Sequence, residues 1–247
     1  MATDLPRPAF YALGGGGWRD WLTILHPPYT AWHLSYVVIG AALAPALSGG
    51  RLVLALLAFF LAVGIGAHAL DELAGRPLGT GISPGRALTV AAAALVSIAG
   101  AAGIGILVAV RFEPWLAAFI VAGVFLVCAY NLELAGGRFH SDWWFAAAWG
   151  AFPVLTAYFT MAGTLRLEAA AAAAFAFALS YAQRRLSASA RRLRRTAVLV
   201  EGRIEREDGT SEPIDRRSLL APLEAALLAM TVAVCALAVA LVIMRLG

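Results

Sequence analysis

Apolar positions in this chain come in long runs rather than in narrow stripes. Seven stretches carry few charges: 30–48, 51–70, 86–110, 114–131, 143–162, 165–183 and 220–244. Each is close to the roughly 20 residues that a helix needs to cross a hydrocarbon core. Polar and charged residues gather between the runs. A helix that is apolar all round belongs in lipid or in a large core, so the pattern predicts an all-α, polytopic transmembrane helical bundle of about seven helices. It divides the chain into a cytoplasmic interfacial segment (1–29), a six-helix membrane core (30–183), an arginine-rich cytoplasmic loop (184–219) and a last transmembrane helix (220–247).

Local signals refine the picture. Pro114 and Pro222 stand where the first turn of a helix tolerates proline. Pro153 falls inside the fifth stretch and should kink it or leave a carbonyl free. The run Gly100, Gly103 and Gly105 has a spacing that lets helix backbones approach closely in lipid. Within the loop, Val198 to Ile214 alternates polar and apolar residues around Asp208-Gly209, which predicts a short β-hairpin.

Composition agrees with a membrane protein and narrows its chemistry. The 247 residues are 61% hydrophobic and 14% charged, with a mean hydropathy of +0.79, whereas soluble domains run at about 25% charged. All 19 basic residues are arginine. Without a lysine amine there is no P-loop enzyme, no Schiff-base enzyme and no retinal protein. Cys128 and Cys235 lie within apolar runs and imply no disulfide framework.

The arginines also orient the chain. With the N-terminus cytoplasmic, 15 of them fall on the inner side and four (Arg51, Arg111, Arg166, Arg245) on the outer side. That is a positive-inside distribution, with the C-terminus outside and a bacterial or archaeal plasma membrane as the expected location. Asp71, Glu72, Glu133 and Asp142 then all sit at the cytoplasmic ends of helices. His68 stands one turn before Asp71-Glu72, and His140 two residues before Asp142. Two inner loops therefore each pair a histidine and acids with an arginine, Arg76 or Arg138.

The first of these loops runs from His68 through Asp71-Glu72 and Arg76-Pro77-Leu to Ile82-Ser83. Here the sequence resembles the UbiA superfamily of intramembrane prenyltransferases. Asp71 falls on that family's central aspartate, and Arg76-Pro77 and Ile82-Ser83 on the loop after it. Leu25-His26-Pro27-Pro28-Tyr29 is similar to the family's entry to helix one, Tyr130-Asn131 to a later motif, and Asp142 with Gly150 and Pro153 to its acid followed by a Gly-Pro helix. The likeness covers roughly residues 20–200. Ala67 stands where the family has asparagine, and Arg184 and Ser189 where it has a second aspartate pair; the family has nine helices.

The resemblance implies transfer of an isoprenyl group from its diphosphate to a lipophilic acceptor. Asp71, Glu72 and Asp142 would be the catalytic and Mg²⁺-holding carboxylates. His68, Arg76, Tyr130, Asn131, Arg138 and Arg184 would bind the isoprenoid diphosphate or another lipid. Trp143 and Trp144 suit an interfacial aromatic belt, and Arg184-Arg185 also suit the basic flank of a helix. The other reading is a non-catalytic relative, a lipid- or quinone-binding subunit or assembly factor whose arginine-rich loop docks a protein partner or anionic headgroups. Nothing in the sequence suggests nucleic acid.

Overall fold

Side-chain caps set where several helices begin. A computed structural model describes residues 9–13, 17–75 and 87–247 of the chain. After a short α1 (Trp18–Ile24), α2 (Pro27–Leu43) starts on two prolines, which fit the first turn because its N–H groups have no partner there. Ser48 accepts a hydrogen bond from the backbone N–H of Arg51 and opens α3. This helix runs through Gly49–Phe59, a π-helical stretch Phe60–Ala67, and His68–Gly75. α4 (Ala87–Arg111) and α5 (Leu116–Asn131) follow. Ser141 caps α6 (Asp142–Ala162), which contains a second π-helical stretch at Ala146–Ala151. α7 is Leu167–Arg195 and α8 is Arg216–Leu246. Asp215 and Ser218 close a capping box at the start of α8.

Four of these helices are long and apolar enough to cross a membrane: Gly49–Leu73, Ala87–Arg111, Asp142–Ala162 and Arg216–Leu246. Leu116–Asn131 is a shorter apolar helix. Large apolar side chains such as Leu95, Val110, Val121 and Val239 are left exposed on the outside, as expected of a surface bathed in lipid. The molecule is a mostly helical bundle of an integral membrane protein.

The core forms where α2 threads the bundle against α6 and α8. Trp32, Tyr36, Ile39, Val154, Ala176 and Val234 share one buried cluster, and Val37, Ala41, Ala157 and Tyr158 another. Glycine makes the closest approaches possible at two places. A Cβ on Gly40 would collide with the backbone oxygen of Val154, and one on Gly150 with that of Ala176. The 100–105 run does this in part: a Cβ on Gly105 would collide with the Ile120 side chain of α5, whereas Gly103 has nothing near it.

α7 differs most from its predicted end. Residues 184–195 hold no proline or glycine, so the helix continues past the expected boundary at 183 to Arg195. Its 29 residues span about 43 Å, and the arginine-rich third continues the apolar part without a break. A hairpin then pairs Gly202–Glu205 with Ser211–Ile214 in antiparallel register, turning at Gly209, whose φ is +79°.

Candidate functional site

At one end of the bundle the helices enclose a cavity of about 410 Å³. All four histidines of the chain, His26, His33, His68 and His140, line it. Arg184, Arg191, Arg194 and Arg195 face it from α7. With Gln183 and Ser187 these arginines recur at helical spacing, which places them along one face. The other end of the bundle is tied down differently: Arg51 donates to the carbonyls of Thr160 and Met161, and Arg245 to those of Ala42 and Ala44.

Proline and the π-helical stretches shape the histidine wall. Pro153 has no N–H, so the carbonyl of Trp149, four residues earlier, lacks its helical donor. His33 Nδ1 lies 2.9 Å from that oxygen and supplies the donor from α2. His68 Nδ1 donates to Gly64 O at 3.2 Å, within the first π stretch. His140 Nδ1 donates to Tyr130 O at 3.1 Å, after a turn in which Glu133, Ala135, Gly136 and Gly137 have positive φ. Because a carbonyl can only accept, each of these three rings carries a proton on Nδ1, and in the neutral form of the ring Nε2 is then the acceptor.

Aromatic rings complete the walls. His26 stacks on His68 with ring centroids 4.2 Å apart, and Tyr11 shares a 2.9 Å hydrogen bond with His26 Nδ1. Burial, then the neighbouring His68 and Arg195, hold the His26 imidazole well below its ordinary pKa. Burial, then Tyr29, pushes the Tyr11 phenol up. Both groups stay neutral at physiological pH. Tyr130 stacks on His140 at 4.4 Å, and Trp149 lies parallel to Phe145.

The four arginines differ in how their charge is met. Arg194 makes a two-pronged pair with Glu224 at 2.5 and 2.8 Å. Arg184 Nε is 3.4 Å from Asp142 Oδ1, and its guanidinium lies over Phe145. Arg191 donates to Ser187 Oγ at 2.6 Å and, among the described residues, has no carboxylate within ion-pair distance. Burial and then Arg184 hold its pKa below the ordinary arginine value. An anion placed there would relieve both.

The sequence-predicted residues divide into three groups. Asp71, His68, Tyr130, Asn131 and Arg184 line the cavity. Glu72 is buried beside it without being part of the lining, Asp142 flanks it, and Arg138 is exposed away from it. Arg76, with Pro77, Ile82 and Ser83, lies outside the described residues. Trp143 and Trp144 are exposed. Sequence reasoning left out His26, His33, Glu133, Gln183, Arg191, Arg194 and Arg195. The arginine spacing along α7 was the available signal.

A divalent-cation site was tested on the same geometry. Of the three predicted carboxylates only Asp71 lines the cavity; Glu72 and Asp142 are not part of its lining, and both oxygens of Asp142 lie near guanidiniums, Arg184 at 3.4 Å and Arg185 at 3.3 Å. Among the described residues no group of three histidine, cysteine, aspartate or glutamate side chains is arranged to hold a metal ion. Mg²⁺ wants carboxylate and water oxygens, and the donor set present, dominated by arginine and imidazole, does not fit it.

Beside this polar cavity runs an apolar cleft of about 110 Å³. Phe59, Val63, Ile98, Phe119 and Phe152 are among its walls, and Trp149 lines both spaces. Comparison of the chain with protein-family models, with curated proteins and with solved structures returns no match.

Proposed function

We propose that this protein binds an isoprenoid diphosphate within the membrane and transfers its isoprenyl group to a lipophilic acceptor, on a UbiA-like scaffold of seven membrane helices. One observation carries the reading: a cavity with four arginines adjoins an apolar cleft across a single residue, Trp149. That is the shape of an amphiphile with an anionic head and a hydrocarbon chain. Arg191 and Arg184 contact the diphosphate, with Arg195 beside them. Guanidinium pairs phosphate oxygens through two parallel hydrogen bonds, which supplies the charge neutralisation that a leaving diphosphate needs. Tyr130, Phe145 and Trp149 present ring faces to the positive charge that develops on the departing chain. The arginine-rich side is cytoplasmic in this reading, with the C-terminus outside.

Purified protein in mild detergent, titrated with radiolabelled geranylgeranyl diphosphate and with geranylgeraniol, tests it. Saturable binding of the diphosphate, with the alcohol about tenfold weaker or worse, is expected. Equal binding of the two would remove the role given to the arginines. A reading as a non-catalytic lipid-binding subunit draws on the engagement of Asp142 by two arginines; it predicts binding without turnover across acceptors.

A further inference from the structure

Not every polar atom in the cavity suits a diphosphate. Phosphate oxygens accept hydrogen bonds, and the arginines supply donors. Opposite them stand groups that accept. The Nε2 atoms of His33 and His68 are lone-pair sites, because each ring spends its Nδ1 proton on a backbone carbonyl. Protonating either ring adds a positive charge to a cavity lined by four arginines, which is unfavourable while the cavity is empty and is offset once a diphosphate has met the arginines' charge. Gln183 lines the same cavity from α7, on the face that carries the arginines; the residue is 4% exposed and its Oε1 has no hydrogen-bond partner among the described residues. A buried amide oxygen without a donor costs about 1–3 kcal/mol, so it marks a place where a donor is missing. Asp71, three residues after His68 on the same helix face, adds a carboxylate to this wall.

We infer that this wall, together with Gln183 across from it, forms a second subsite, built for the hydroxyl group of the acceptor. The inference rests on the proposed transfer reaction and specifies its second substrate: a lipophilic alcohol or phenol, not a hydrocarbon or an ether. Gln183 Oε1 and His33 Nε2 orient the hydroxyl, and His68 Nε2 takes its proton. In the transfer, the acceptor oxygen bonds to C1 of the isoprenyl chain as the C1–O bond to the diphosphate breaks. The electron pair of that bond leaves with the diphosphate on the arginines. The proton released by the acceptor ends on His68, which becomes an imidazolium on the same helix face as Asp71.

A matched pair of small probes tests this without knowledge of the natural acceptor. 2-Naphthol carries the hydroxyl, and 2-methoxynaphthalene has nearly the same shape without the donor. Each is titrated into the full-length protein, alone and with saturating geranylgeranyl diphosphate. The naphthol should bind about tenfold tighter than the ether or better, because only it satisfies the buried acceptors. Its excitation band should shift to longer wavelength as its O–H meets imidazole. His68→Phe should remove the shift and His68→Gln, which keeps an acceptor near the Nε2 position, should restore most of the preference. Gln183→Met should also lower the preference. Equal affinity of the wild-type protein for the two probes overturns the subsite, and so does a preference that survives both His68→Phe and Gln183→Met. If geranylgeranyl diphosphate itself fails to bind, the transfer reading falls, and the probe pair titrated alone still reports on this wall.

Discussion

Arg191 and Asp142 put the arginine account at its sharpest, because a metal-based site and an arginine-based site predict opposite results for them. Arg191 lies in the cavity without an acidic partner among the described residues. Replacing it with glutamine removes one charged hydrogen-bond donor to the ligand, worth about 1.5–3 kcal/mol, and should weaken diphosphate binding about 10- to 100-fold. Asp142→Asn frees Arg184 from its counter-charge and should leave binding intact or stronger. Were Asp142 a metal ligand, the same change would abolish binding. Equilibrium binding of the two variants, with melting curves to check folding, separates the alternatives.

His26 supplies a pH dependence whose sign follows from its burial. Its pKa in the folded protein lies well below the ordinary histidine value of 6.5. The unfolded chain therefore takes up a proton at 6.5 that the folded protein refuses, and stability is full above that pH and declines below it. Melting temperature should fall between pH 7.5 and 5, and it should fall less steeply in His26→Asn, a residue that tolerates the left-handed backbone at this position (φ 47°). Bound diphosphate favours the imidazolium and should shrink the loss. A slope unchanged in the variant would remove His26 from this role.

Among the elements, α6 shows most directly how sequence becomes site. Pro153 leaves the Trp149 carbonyl open, and His33 fills it from another helix. That pairing fixes the ring tautomer and holds α2 against α6 at the cavity wall. Pro153→Ala restores the helical donor and lets the Trp149 carbonyl dispense with His33. The variant should keep or raise its melting temperature and lose about tenfold in ligand affinity, since a histidine released from its partner no longer presents Nε2 in one orientation. Unchanged affinity would show that His33 is held by packing alone.

Much of this was legible in the chain. The apolar runs marked the helices, Pro153 announced a free carbonyl, and Asp208-Gly209 announced the hairpin turn. His68, Asp71, Tyr130, Asn131 and Arg184, which line the cavity, stand at helix ends, in or beside the segments that carry the family resemblance. His26 and His33 were missed because what joins them to His68 and Trp149 is contact between helices, which no local spacing reveals. Arg191 and Arg195 were missed for another reason: a polar run after an apolar helix reads as a loop until the helix is seen to continue. Gly40 and Gly150 carry the backbone-to-backbone approaches, which no dense run marks, while in the run at 100–105 Gly105 makes room for a side chain, Ile120.

At the scale of the whole molecule, the two ends of the bundle are chemically unlike. One end ties helix C-termini together with Arg51 and Arg245. The other gathers four arginines of α7 around a cavity, with the hairpin following that helix. With the hairpin cytoplasmic, Asp208→Cys in a background of Cys128→Ala and Cys235→Ala should react with a membrane-impermeant maleimide in inverted vesicles and not in intact cells. Labelling in intact cells would reverse the orientation and place the cavity outside.

The central claim is that arginine, and not a divalent cation, holds the diphosphate at the end of an intramembrane cleft. Binding of geranylgeranyl diphosphate to the purified protein, measured in excess EDTA and again in millimolar Mg²⁺, tests it most directly. If the arginines hold the diphosphate, the two affinities agree within about threefold, a difference of under about 1 kcal/mol. Binding that disappears in EDTA and returns with Mg²⁺ would contradict it.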